Sequence, residues 1–177
     1  MADQQHFDLL KQSIDDWNQW RQEHHDIRPD FEGADLQGIV LEKVDLSRAN
    51  LKAANLSGAD LRGALLGRAD LSEANLSKAH LSDAEMDGAT LKAAILSDAD
   101  LRAAVLTGAD LSEADLRGAI LTGADITGAN FTEVNFSGAD LSNLDLSKAN
   151  LTEARLGKAY FVPMHLRDHS SADDEEA

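Results

Sequence analysis

Histidine is the side chain in this sequence best suited to move a proton near neutral pH, and its placement predicts no catalytic site. Five of the six His lie outside the regular central part of the chain, at His6, His24, His25, His165 and His169, and only His80 lies within it. None has a serine or carboxylate at the spacing of a catalytic motif, and no glycine-rich phosphate loop or metal-ligand pattern occurs. The chain also has no Cys. We therefore expect no enzyme, no cofactor and no metal site.

A column of glutamates is the polar pattern that points to binding. Glu73, Glu113, Glu133 and Glu153 are separated by multiples of twenty residues. If residues twenty apart stack about 4.8 Å from one another, their like charges repel. A basic partner or a bound cation would offset that repulsion, whereas the alternative is that the four side chains are simply solvated. We predict a partner-binding acidic column at these residues.

The glutamates belong to a sequence repeat of five residues, called a phrase below, and the fold of this repeat must position their side chains. It runs from Ala34 to Pro163 for 26 phrases without insertion or deletion, as in Ala59-Asp60-Leu61-Arg62-Gly63. We number its positions 1 to 5; position 1 is Ala in 22 phrases and position 3 is Leu in 21. A straight helix would spread these Leu around every face, because five residues advance about 140°. A flat strand would send them alternately to opposite faces. A chain that bends once per phrase instead directs positions 1 and 3 inward.

The phrase Ala-Asp/Asn-Leu-X-X, as in Ala54-Asn55-Leu56-Ser57-Gly58, resembles the repeat of the pentapeptide repeat family. The resemblance implies a right-handed quadrilateral β-helix, with four phrases in each coil of twenty residues. The 26 phrases then make about 6.5 coils, a rod of about 31 Å at about 4.8 Å per coil. The fold class expected is an all-β solenoid with an N-terminal α-helical cap.

Residues 1–33 precede the repeat and predict that cap. Phe7, Leu10, Ile14 and Trp17 are spaced 3, 4 and 3 apart, the apolar stripe of an amphipathic helix of about five turns. A solenoid end exposes apolar side chains and unpaired backbone, so a helix that covers the first coil is expected. The alternative is a partner-binding helix anchored by its two Trp. The stretch from Leu9 to Arg21 also looks like the leaders of cyanobacterial members of the family.

The other end carries no comparable helix. Residues 164–177 form an acidic segment whose composition is typical of disorder. Just before and within it, apolar side chains would either fold back as a small lid or form a contact with a second copy of the chain: Phe161, Val162, Met164 and Leu166. The sequence leaves a monomer and a dimer through this end both open.

The leading functional expectation is a non-catalytic structural or protein-interaction module with an unknown protein partner. The alternative comes from a subset of the family that resembles duplex DNA and protects DNA gyrase, a type II topoisomerase, from inhibitors. The net charge is −16, but residues 34–163 hold twelve basic and nineteen acidic residues, a net charge of −7. A duplex as long as the rod would carry about 18 negative charges. The sequence also lacks the projecting loop and C-terminal dimerisation helix of that subset.

The acidic balance disfavours direct nucleic-acid binding, because phosphates would be repelled. No apolar run of membrane-spanning length occurs, and the first residues are polar rather than a cationic and apolar leader. We therefore expect no membrane association and a cytoplasmic location.

Overall fold

The computed structural model describes residues 3–161 as two short helices followed by a solenoid. The helices are α1 (Gln4–Gln12) and α2 (Ile14–Glu23), and a 3-10 helix (Leu146–Lys148) lies near the far end of the solenoid. Within the described range, neither α-helix is long and apolar enough to cross a membrane.

Parallel bridges between residues twenty apart build the solenoid. They run from Asp30–Asn50 at the N-terminal end to Asp140–Tyr160 at the other, and each pairs position 2 of one phrase with position 2 of the phrase one coil later. The spacing is the twenty-residue coil that the sequence predicts. No bridge extends into a longer strand among residues 3–161, because the chain turns again before a second residue can pair.

Each bend is a hydrogen-bonded turn between position 3 and position 1 of the next phrase. In one example, the Ala64 N–H donates to the Leu61 carbonyl at 3.0 Å, and the residue between them at position 5, Gly63, has φ 62°. A turn with positive φ at only its third residue is the type II arrangement. The N–H groups of Leu61 and Gly63 donate to carbonyls of the next coil at 2.7 and 2.9 Å. Turn bonds and bonds between coils therefore satisfy the backbone together.

Positions 1 and 3 fill the interior, as the sequence predicts. Leu56, Ala59 and Leu61 are fully buried, and the same holds for most of their counterparts along the rod. Alternation of one large and one small side chain per phrase packs a narrow interior without large voids.

The cap is two helices rather than the single helix expected from the apolar stripe. Ser13 has extended backbone (φ −162°) and its hydroxyl accepts a hydrogen bond from the Asp16 N–H, so it ends α1 and caps the start of α2. A serine at this place favours a helix start over a helix interior, because its oxygen satisfies a free backbone donor. The break lets Leu10 from α1 and Trp17 from α2 both reach the core.

The solenoid begins one phrase before the predicted boundary at residue 34. Asp30 already pairs with Asn50, Phe31 is fully buried, and Gly33 has φ 67°. The first phrase is thus Pro29 to Gly33. Its sequence does not match the Ala and Leu pattern, because Pro29 stands at position 1 and Phe31 at position 3.

The coil geometry is also interrupted near its C-terminal end, although the sequence repeat is not. Within residues 3–161, the bridge expected between Asp125 and Asp145 is missing, and the 3-10 helix lies in its place. Leu144 stands at position 1 of this phrase, where valine at Val44 and Val134 is still accommodated in a regular coil. Leucine is longer than valine, so we attribute the displacement to the lack of room for it in the narrow interior.

Candidate interaction surfaces

The predicted glutamate column lies along one corner of the rod, at position 5, and it is only partly free. The Glu73 carboxylate lies 3.2 Å from Lys52 Nζ, and the Glu113 carboxylate lies 3.0 Å from Lys92 Nζ. The hydrogen bond that the Lys92 ammonium donates to the Glu113 carboxylate raises the pKa of Lys92. Each lysine is at position 4 of the preceding coil, so these two pairs connect neighbouring coils.

Glu133 and Glu153 complete the same corner one coil apart. Both side chains are exposed, and neither forms an ion pair within residues 3–161. Their backbones have φ 61° and 57°, the left-handed region that costs a residue with a side chain about 1–2 kcal/mol. The unpaired acidic surface is therefore confined to the C-terminal half of the predicted column.

Aspartates at position 2 form turn interactions that the sequence reading did not identify. The Arg62, Arg102 and Arg117 guanidiniums each hold the aspartate two residues earlier, with a nitrogen–oxygen distance of 2.6 Å. These hydrogen bonds lower the pKa of the aspartates, which are Asp60, Asp100 and Asp115. The signal was present as Asp-Leu-Arg, a carboxylate and a guanidinium at positions 2 and 4 of one phrase.

Asparagines at position 2 form hydrogen bonds within the rod. The Ser57 N–H donates to Asn55 Oδ1 at 3.3 Å, and Asn55 Nδ2 donates to Asp35 Oδ1 of the preceding coil at 3.0 Å. The same link between coils joins Asn130 to Asp110. These amides tie the coils together and are not free to bind a partner.

An arginine column on another corner is the second feature that the sequence reading missed. Arg28, Arg48 and Arg68 are twenty residues apart and line a groove of about 360 Å³ together with Asp70 and Thr90. Arg28 donates from Nε to the Arg48 carbonyl at 3.2 Å and lies 3.8 Å from the Asp70 carboxylate. The sequence signal for this column is the twenty-residue spacing of the three arginines.

Phe161, the residue of the predicted C-terminal contact that the structure describes, lies at the C-terminal end of the described solenoid. Phe161 is 48% exposed and Leu156 is 37% exposed, whereas their counterparts earlier in the rod are buried. The other three residues of that prediction, Val162, Met164 and Leu166, lie outside the described residues. Across residues 3–161, no group of three or more His, Asp or Glu is arranged to hold a metal ion.

Comparisons with known proteins agree with this geometry. The family model for pentapeptide repeats matches eight copies, over residues 30–68, 54–92, 94–132 and 129–162. Pentapeptide repeat proteins fold as right-handed quadrilateral β-helices. A search of the curated proteins finds no match.

Solved structures similar to this chain are also found. QnrB1, a plasmid-mediated fluoroquinolone resistance protein, is 23% identical, with 75% of this chain and 79% of that chain covered and a TM-score of 0.60. HetL, a pentapeptide repeat protein involved in heterocyst differentiation regulation in the cyanobacterium Nostoc, is 32% identical over 75% of this chain and 76% of that chain, with a TM-score of 0.27. Since the family model covers most of the chain, this protein belongs to the pentapeptide repeat family.

Proposed function

We propose that this chain is a non-catalytic interaction module that binds a basic protein partner through the C-terminal half of its glutamate corner. Pentapeptide repeat proteins are generally non-enzymatic structural or interaction modules. The rod would present flat, solvated faces along its coils, because its outward side chains are held in rows by the coil spacing. The cytoplasmic location stays a prediction from the sequence.

The observation that carries the proposal is the unpaired pair Glu133 and Glu153. The two residues lie on neighbouring coils, and the backbone of each has a strained, positive φ. Glu73 and Glu113, by contrast, each form an ion pair with a lysine. Like charges in this arrangement repel, and a cationic partner would relieve the repulsion. Asn130 and Asn150 lie beside them at position 2 and already bond to each other, at 3.1 Å. The contact would therefore be carried by the carboxylates.

Affinity capture from a native lysate tests the proposal. The variant Glu133→Gln/Glu153→Gln should recover on the order of tenfold less of a basic protein that the unchanged chain captures. The matched control is Asp83→Asn/Asp98→Asn, which removes two exposed position 5 charges on other corners. Equal recovery by the two variants, or a loss of thermal stability confined to the glutamate variant, would contradict the proposal.

The DNA-mimic alternative makes a different prediction. A mimic needs acidic surface without interruption, but Lys52 and Lys92 neutralise half of the predicted glutamate column, and three arginines line another corner. The likeness to QnrB1 is a likeness of fold. A gyrase supercoiling assay with excess chain should therefore show neither inhibition nor protection from an inhibitor. A clear effect would favour the alternative.

Self-association through the uncovered end is a separate proposal. Phe161 and Leu156 present apolar area there, and either a second copy or residues 162–166 could cover it. Light scattering on the full chain over a tenfold concentration range distinguishes the two. A dimer that the variant Phe161→Ser dissociates would establish the contact, and a monomer throughout would favour the lid.

A further inference from the structure

We propose that the arginine column, Arg28, Arg48 and Arg68, binds the acidic segment Asp173-Asp174-Glu175-Glu176 of the same chain. The segment lies outside the described residues, whereas the column lies within them. The bound segment would cover the basic groove at the N-terminal end of the rod.

Two arginines of the column, Arg48 and Arg68, differ from the arginines at position 4 of the Asp-Leu-Arg phrases in lacking a carboxylate partner within residues 3–161. Arg62, Arg102 and Arg117 each hold an aspartate at 2.6 Å. By contrast, the guanidiniums of Arg48 and Arg68 make no hydrogen bond or ion pair within residues 3–161, and Arg28 only approaches Asp70 at 3.8 Å. Two unpaired like charges on neighbouring coils repel each other, so an anionic ligand would be favoured there.

The backbone conformation of Arg48 and Arg68 is a second feature of the column. Arg48 and Arg68 have φ 62° and 57°, the left-handed conformation that favours glycine. Glycine does occupy the next three places on this corner, at Gly88, Gly108 and Gly128. Their positive φ explains the glycines without a ligand. The arginines, in contrast, keep long charged side chains at a strained position where the next three coils of the same corner have glycine.

The same corner offers a path from the C-terminal end of the rod to the column. After Arg68 the corner carries no side chain for three coils, and nothing lies within 4 Å of a Cβ built on Gly108. Lys148 occupies the C-terminal end of the same corner. Beyond Lys148, a peptide could run along the three coils that carry Gly128, Gly108 and Gly88 without meeting a side chain of this corner.

The length of chain is sufficient for this path. At about 4.8 Å per coil, Arg68 and Arg48 lie about 22 and 27 Å from Phe161 along the rod axis. The eleven residues 162–172 span up to about 36 Å when extended, at about 3.3 Å per residue. The four acidic residues that follow can thus reach both arginines from the same molecule.

The chemistry favours a carboxylate-rich peptide as the occupant. Guanidiniums bind carboxylates through paired hydrogen bonds, and a tethered segment has an effective concentration in the millimolar range. Asp70 and Asp87 are the acidic neighbours of the column, and Arg28 approaches the first of them. Four consecutive acidic residues form the densest negative run in the sequence.

Paramagnetic relaxation enhancement tests the proposal on the full chain. Because the protein has no Cys, the variant Ala172→Cys accepts a single nitroxide label next to Asp173. The label should broaden the backbone amide signals of Arg48, Arg68 and Gly88. In Arg28→Gln/Arg48→Gln/Arg68→Gln the population in contact should fall roughly tenfold, since three exposed ion pairs are lost.

The matched control removes the same charge elsewhere. Arg62→Gln/Arg102→Gln/Arg117→Gln should leave the broadening pattern unchanged, because those arginines are occupied by their own aspartates. Equal loss in both triple variants, or broadening spread evenly over the rod, would overturn the proposal. A mixture of labelled chain with isotope-enriched unlabelled chain should show no broadening; broadening there would mean that a second copy supplies the segment, which overturns the intramolecular assignment.

Discussion

At the scale of single residues, the fifth position of each phrase requires a left-handed backbone conformation but accepts many different side chains. Fourteen residues with side chains hold positive φ there, and glycines hold most of the remaining places. The side chain projects from a corner of the rod and meets little of the core, so the sequence is free to vary in charge. A residue with a side chain at this position has a strained backbone, whereas glycine does not. The corners therefore carry glycines as well as the charged residues proposed to bind partners.

That strain predicts opposite outcomes for one substitution at adjacent residues. Ala93→Gly removes the left-handed penalty at φ 55° and should stabilise the protein by about 0.5–1 kcal/mol, after the entropy cost of glycine. Ala94→Gly changes a fully packed position 1 residue and should destabilise it by about 1 kcal/mol. Chemical denaturation of the two variants measures both values. Destabilisation of similar size at the two sites would contradict the turn assignment.

At the scale of elements, the cap is joined to the solenoid by buried polar groups as well as by apolar packing. Trp17 is fully buried and donates from Nε1 to the Asp45 carbonyl at 2.8 Å. Arg21 is 3% exposed; its terminal nitrogens donate to the carbonyls of His24, Ile27 and Ser47, and its Nε lies 3.9 Å from the Asp45 carboxylate. One arginine therefore links α2, the following loop and the solenoid.

Loss of that arginine should detach the cap. Arg21→Met should destabilise the first coil by about 2–4 kcal/mol, because buried carbonyls lose their donors. Hydrogen exchange should show faster exchange throughout α1 and α2, whereas the C-terminal coils keep their protection. Gln22→Met, at an exposed position of the same helix, serves as the control and should change little. Unchanged exchange in the arginine variant would mean that apolar packing alone holds the cap.

The interruption near Leu146 leads to a second prediction at this scale. Leu144→Ala places the usual small residue at position 1, so the coil should close and the Ile126 and Asp145 amides should become protected. Amide exchange by NMR measures this directly. In Val134→Ala, where the coil is already regular, the amides opposite should keep their protection. If Leu144→Ala leaves the Ile126 amide as exposed to exchange as before, the size of Leu144 is not the cause.

At the scale of the whole molecule, stability is distributed along the rod, because each coil contacts mainly its neighbours. The aspartate–arginine ion pairs are distributed along the rod in the same way, since they occur on separate coils. Asp60, Asp100 and Asp115 have pKa values lowered from 3.8, first by the hydrogen bond from the arginine. A carboxyl whose pKa is lower in the folded than in the unfolded state stabilises the fold at a pH above its unfolded-state pKa. This contribution is lost as the pH falls through the folded-state pKa.

Acid should therefore weaken the rod in a way that these aspartates control. The free energy of unfolding should be steady near neutral pH and decline below about pH 4. In Asp60→Asn/Asp100→Asn/Asp115→Asn the decline should be shallower, because that part of the stability is absent at every pH. Denaturant unfolding at several pH values measures it. The control Asp83→Asn/Asp87→Asn/Asp98→Asn removes three acids whose side chains form no hydrogen bond with an arginine within residues 3–161. An equally shallow decline in the two variants would contradict the assignment.

The sequence by itself determined the five-residue period and the inward positions, because a phrase of fixed length with one large and one small apolar residue has few ways to bury both. The coil of twenty residues, and with it the place of the predicted glutamate column, came from the resemblance to the pentapeptide repeat family. Even so, the sequence did not predict the first phrase, because Pro29 and Phe31 fit the coil but differ from the usual Ala and Leu. The periodicity also gave no sign that Leu144 would displace its phrase.

Only the tertiary structure decided which charges are free. Lys52 and Glu73 are 21 residues apart and meet because one coil stacks on the next, whereas Glu133 and Glu153 have no lysine in the corresponding places. The arginine column and the Ser13 break in the cap likewise depend on contacts between coils and on local hydrogen bonds. A repeat fixes the backbone through local turns, but the state of each outward side chain depends on neighbours a full coil away.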